Sequence, residues 1–127
     1  MYMSKENLVA ELSLEFAVRI VNLNKYLRLN KKEFVISAQV LRSGTSIGAN
    51  IAESQMAQST PDFISKLHIA LKEANETKYW LDLLLRTEYV TDEQYRSLNK
   101  DLRVVIGLLV TIIKKVKGEL KTSLNEL

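Results

Sequence analysis

The stretch TDEQYRSLNKDLRVVIGLLVTIIKKVKG, Thr91 to Gly118, decides the fold class. Within it Tyr95, Leu98, Leu102, Val105, Leu109, Ile112 and Val116 recur at alternating steps of three and four. That rhythm keeps one stripe of a 3.6-residue helix apolar, as the seam of a packed bundle requires. Thr91, followed three residues later by Gln94, supplies a capping box at the start. Gly118 reads as the C′ residue that stops the helix. The pattern predicts a helix over about 92–117.

Working outward from that stretch, three more helices emerge. Thr60 as N-cap with Pro61 at the first helical position opens a helix over about 61–87, where the missing proline N–H costs nothing. Its core positions are Phe63, Leu67, Ala70, Ala74, Leu81 and Leu84. A helix over about 31–57 follows Asn30, which with Glu33 forms a variant capping box, and runs through Val40, Ile47 and Ile51. The first helix, about 5–29, starts at Ser4 and carries Val9, Leu12, Phe16, Ile20, Leu23 and Leu27 on one stripe. The connections near Asn30, Ser59 and Thr91 are only a few residues long, which forces antiparallel neighbours. The expected fold is all-α, an up-down-up-down four-helix bundle over residues 1–127 as a single domain.

Composition agrees and narrows the chemistry. The 127 residues include one Pro and four Gly, too few for the many turns of an all-β domain. With no Cys there is no disulfide, thiolate nucleophile or Cys-ligated zinc, and a single His, His68, excludes a site needing two imidazoles. The residue three before His68 is Ser65, whereas metal-binding bundles use a Glu-x-x-His pair there. Gly44 and Gly48 lie in a helical pattern without the Gly-Lys-Ser/Thr ending of a phosphate loop. No nucleophile–base constellation can be assembled, so the expectation is a non-enzymatic protein with no cofactor or metal. The N-terminus is charged at once and lacks an apolar h-region. The longest apolar run, Val104 to Ile113, is half of the roughly 20 residues that cross a bilayer. A cytoplasmic protein without a membrane partner is expected.

Five groups of residues stand out as candidate sites. Gly44, Gly48 and Ala52 stack at i, i+4 and i+8 and make a helix-packing strip, whose partner is a helix of the same bundle or of a neighbouring subunit. Val104, Leu108 and Val110 lie off the seam of the last helix, and this apolar excess points to a homo-oligomer. Arg42, Ser46, Asn50 and Glu53 share one face; they form a solvated stripe, hydrogen-bonded pairs with Glu76 or a neighbouring subunit, or a ligand site. Two basic clusters complete the set. Lys25, Arg28, Lys31 and Lys32 flank the first turn, and Lys114, Lys115, Lys117 and Lys121 close the last helix. Cations in a last helical turn also serve the helix dipole. The net charge is +3, with a pI near 9.1. No aromatic residue interleaves Lys114, Lys115, Lys117 and Lys121, so stacking of single-stranded bases is not suggested there.

The run Arg42-Ser43-Gly44-Thr45-Ser46-Ile47-Gly48-Ala49-Asn50-Ile51-Ala52-Glu53 resembles the signature of the 23S rRNA-intervening sequence protein family, short bacterial four-helix-bundle proteins. The family's Arg, small residue, Ser-Ile and Ala-Asn-Ile-Ala-Glu fall on Arg42, Ser43, Ser46, Ile47 and Ala49 to Glu53. A second block, Phe63 to Glu76, has Leu67, Ile69, Ala70 and Glu76 in place. The resemblance implies an antiparallel bundle assembled as a homopentamer. It extends more distantly to the basic accessory protein of diversity-generating retroelements, which binds its reverse transcriptase and nucleic acid. Ser54 to Gln58 departs from the pattern, carrying no positive charge where members have an Arg-bearing turn. The implied function is an oligomeric bundle that binds RNA, DNA or a nucleic-acid enzyme through basic patches. The alternative is a protein-interaction scaffold with no physiological nucleic-acid binding.

Overall fold

The computed structural model describes residues 3–126, which form four α-helices joined by short turns. They are α1 (Lys5–Asn30), α2 (Ile36–Ser54), α3 (Thr60–Arg86) and α4 (Asp92–Asn125). Each packs on its sequence neighbour, and α1 closes the ring against α4; the backbones of the diagonal pairs stay apart among the described residues. The result is a square antiparallel bundle. Its core is the stripe that the apolar spacing marks: Val9, Phe16, Ile20 and Leu27 of α1, Val40, Ile47 and Ile51 of α2, Leu67, Ala70, Ala74, Leu81 and Leu84 of α3, and Leu98 to Ile113 of α4.

Two caps are as the spacing predicts. Ser4 Oγ accepts the Asn7 N–H at 3.1 Å, and Thr91 and Gln94 bond each other's backbone N–H at 3.1 and 2.9 Å. Several boundaries differ from the sequence reading. Helix α2 begins at Ile36 rather than near 31, because Lys32 turns into the left-handed region (φ 54°) and breaks the helical run. Asn30 is the last residue of α1 and no cap. Glu33 itself caps α2: its buried carboxylate accepts the N–H groups of Val35, Ile36 and Ser37 at 3.2, 3.0 and 2.7 Å. The cap of α3 is Ser59, not Thr60, with Ser59 Oγ accepting the Asp62 N–H at 3.2 Å. Pro61 then sits at the second helical position, where its N–H is still dispensable. At its far end α2 stops at Ser54 rather than 57.

The largest difference is at α4. Gly118 does not terminate it; the helix runs on to Asn125, with Thr122 Oγ1 donating back to the Gly118 carbonyl at 3.0 Å. No left-handed residue occurs at Gly118 to provide a stop. At 1.5 Å per residue α4 is about 51 Å long against about 28 Å for α2. Arg19 of α1 bonds Asp101 of α4, and Asp82 of α3 bonds Tyr95. Counting outward from those antiparallel pairings, Lys5 lies level with about residue 115 and Thr60 with about residue 117. The last two turns of α4 therefore project about 12 Å beyond the first turns of α1 and α3.

Candidate functional site

The glycine strip of α2 faces α1 of the same bundle. A Cβ at Gly44 would lie 2.8 Å from both Cγ atoms of Ile20, and one at Gly48 would lie 3.3 Å from the Ser13 carbonyl and hydroxyl oxygens. Ala52, in contrast, is exposed. Glycine at 44 and 48 lets the two helix backbones close on each other, which offsets the roughly 1 kcal/mol that each costs in a helix interior.

On the other side of α2, Arg42 reaches α3. Its guanidinium donates to Glu73 at 3.2 Å and to Glu76, while the Trp80 indole N–H donates to the same Glu76 oxygen at 3.0 Å. The indole first, and then the guanidinium, hold the Glu76 carboxyl below the ordinary range against burial, which pushes it up. Ser46 and Asn50 turn back onto their own helix, bonding the carbonyls of Arg42 (2.6 Å) and Ser46 (2.8 Å). Glu53 lies 3.3 Å from Lys66. The set that shares one face in sequence is thus divided among three different partners.

Sequence spacing missed a second polar junction, between α3 and α4. Lys78 donates to both oxygens of Asp82 at 3.2 and 3.1 Å, and the Tyr95 hydroxyl donates to Oδ1. Burial pushes the Asp82 carboxyl up, but the Tyr95 and Lys78 donors together bring it below the ordinary range. The same contact raises the Tyr95 hydroxyl above its usual value. Only the Lys78–Asp82 spacing of four signals this in the sequence.

The basic residues occupy two ends. Lys25 and Arg28 are exposed on α1, and Lys31 and Lys32 lie in the turn, with the Lys31 ammonium 5.9 Å from the Tyr26 ring centroid. Lys114, Lys115, Lys117 and Lys121 are all exposed on the far end of α4, and Lys121 stands on its projecting turns. None of these eight is ion-paired among the described residues.

Apolar surface is exposed elsewhere than the sequence suggests. On α4, Val104 is exposed but Leu108 and Val110 are half-buried. The larger exposed set is on α1, where Leu14 (61% exposed), Val18 (55%) and Val21 stand at i, i+4 and i+7. Leu14 also lines a groove of about 650 Å³ with Ala10, Ala17, Thr45, Gly48, Ala49 and Ala52, whose sole charged wall residue is Glu11. The spacing of Leu14, Val18 and Val21 marks a second apolar face on α1 that the search for one core stripe passes over.

His68 is exposed on α3, and no group of three or more potential metal ligands occurs among the described residues. A cavity of about 520 Å³ at the end of the bundle has Val9, Ile51, Phe63 and Leu67 in its wall and Glu6 as its single carboxylate. No helix is long and apolar enough to cross a membrane among the described residues.

Residues 5–111 match the family model described as 23S rRNA-intervening sequence protein. A crystal structure of a protein with unknown function from the S23 ribosomal protein family of Bacteroides thetaiotaomicron is similar at a TM-score of 0.87 and 65% sequence identity. The match covers 87% of this chain and 99% of that one. None of the curated proteins matches the chain. Over this extent the chain belongs to the 23S rRNA-intervening sequence protein family.

Proposed function

We propose that this member of the 23S rRNA-intervening sequence protein family is a non-enzymatic, homo-oligomeric bundle that holds nucleic acid through its basic surface. The observation that carries the reading is the length of α4, which brings the unpaired Lys114, Lys117 and Lys121 to the end of the bundle and beyond it. Cations on a projecting helix meet a polyanion without steric hindrance from the other three helices. Backbone phosphate contacts are individually weak but add through counterion release. The exposed apolar row Leu14, Val18 and Val21, with the groove beside Leu14, supports self-association, since an apolar patch on so small a protein marks a contact face. A closed ring, pentameric as the family resemblance implies, repeats the net +3 of each chain around its axis.

Filter binding of ribosomal RNA tests this reading: retention at 50 mM salt that falls steeply by 200 mM supports it, and no retention at 50 mM overturns it. A second reading, a scaffold for another polypeptide, is favoured by Leu29, Phe34 and Val35, which expose a separate apolar patch at the α1–α2 turn. Reversing Lys114, Lys115 and Lys117 to Glu separates the two. RNA retention is lost under the first reading, and binding of a polypeptide partner persists under the second.

A further inference from the structure

We infer that the solvent face of α4 is a track for a nucleic-acid duplex, with two groups of cations that grip the phosphates on either side of one groove. The inference rests on the nucleic-acid reading above and extends it in substrate class and in residues. At 100° per residue, Arg96, Lys100, Arg103, Lys114, Lys117 and Lys121 all fall within about 60° of a single line along α4. That line is opposite the buried seam of Leu98, Leu102, Val105, Leu109 and Ile112, and all six side chains are exposed. None is ion-paired among the described residues. From Arg96 onward the carboxylates of α4, Asp101 and Glu119, lie about 140° off the line, and Asp101 is engaged with Arg19. Asp92 and Glu93 share the cationic side but are confined to the first turn, where they serve the helix dipole.

The spacing along the track selects the ligand. Arg96, Lys100 and Arg103 form one group, Lys114, Lys117 and Lys121 another, and the gap from Arg103 to Lys114 is eleven residues, about 16 Å. A B-form major groove is about 12 Å wide, so with α4 lying across it the two groups reach the phosphates on its two rims. The gap between them carries no charge and includes the half-buried Val110. Gly107 and Thr111 lie in it, and Gly118 lies between Lys117 and Lys121. A Cβ at Gly107 or Gly118 would meet nothing within 4 Å, so neither glycine serves packing in this chain. Each nonetheless costs about 1 kcal/mol in a helix. Close approach of a ligand to the helix backbone accounts for both. Single-stranded nucleic acid fits less well, because the track carries no aromatic side chain on which a base could stack.

The test measures affinity and salt dependence for a 24-base-pair DNA duplex, the RNA duplex of the same sequence and the corresponding single strand. Two triple variants, R96Q/K100Q/R103Q and K114Q/K117Q/K121Q, are compared with a control of equal charge loss at exposed cations outside the basic clusters, K5Q/K72Q/R86Q. With six phosphate contacts, log K falls with log salt at a slope of about −5 on the DNA duplex, and each α4 triple variant makes that slope shallower by roughly 2 to 3. The control leaves the slope unchanged. Gly107→Leu, placed in open space, retains the fold and weakens duplex binding roughly tenfold. Preference for the DNA duplex over both the single strand and the RNA duplex, whose major groove is deep and narrow, supports the track, and preference for the RNA duplex overturns the groove assignment. Equal binding of duplex and single strand, or equal losses in all three triple variants, overturns the track while leaving general nucleic-acid binding intact. Absence of binding to all three probes overturns both.

Discussion

Replacing Gly44 by alanine sets two effects of known size against each other. Alanine gains about 1 kcal/mol over glycine in a helix interior. The added Cβ, however, would lie 2.8 Å from Cγ1 and Cγ2 of Ile20, where ordinary carbon contacts begin at 3.4 Å. Ile20 is fully buried and branched at Cβ, so no free rotamer takes those atoms away. The helices must move apart by about half an ångström, and that also loosens Gly48 against Ser13. Overpacking of this kind costs about 1–3 kcal/mol, and the rigidity of Ile20 places this case in the upper half. The expected net loss is about 1–2 kcal/mol, a fall in Tm of roughly 4–8 °C for a chain of this length. Gly107→Ala is the internal reference. It has the same gain and no clash, and should raise Tm by roughly 4 °C. Thermal unfolding followed by circular dichroism reads both. In an Ile20→Ala background the clashing carbons are gone, so Gly44→Ala should become stabilising, with a coupling of about 2–3 kcal/mol in the double-mutant cycle. If Gly44→Ala stabilises as much as Gly107→Ala, the α1–α2 approach does not require glycine and the packing argument fails.

Two further variants probe local structure. Glu88 holds a left-handed conformation (φ 64°) just past α3, while the N–H groups of Tyr89 and Glu88 bond the carbonyls of Leu84 and Leu85 at 3.0 and 3.1 Å. Glycine is favoured at such a position, so Glu88→Gly should stabilise by about 1 kcal/mol in a urea titration, and an unchanged midpoint would contradict the strain. The lowered carboxyl of Glu76 contributes stability that is complete above its unfolded value of about 4.5 and is lost as pH falls toward its lower folded value. Glu76→Gln should therefore flatten the dependence of Tm on pH below about 4.5, and an acid limb as steep as the parent's would refute that linkage.

The features legible in the sequence are those whose cause is local. Apolar residues at steps of three and four mark the buried stripe of every helix, because that spacing is the pitch of the helix itself. Ser4 and the Thr91–Gln94 box announce their helix starts, because the donors they satisfy are within three residues. The short turns imply antiparallel order, because the chain has no length to do otherwise. Tertiary structure alone decided the rest. A glycine strip states that something comes close, and only the packed helices show that it is Ile20 and Ser13 of α1. Glu33 becomes a cap because Lys32 adopts a left-handed turn that its residue type does not advertise. Gly118 stays helical because chain continuation, not residue type, determines whether a glycine ends a helix. Arg42 and Glu53 of the polar stripe reach across to α3 while Ser46 and Asn50 turn back onto α2, since which neighbour a side chain meets depends on how two helices are placed and not on the helix that bears it.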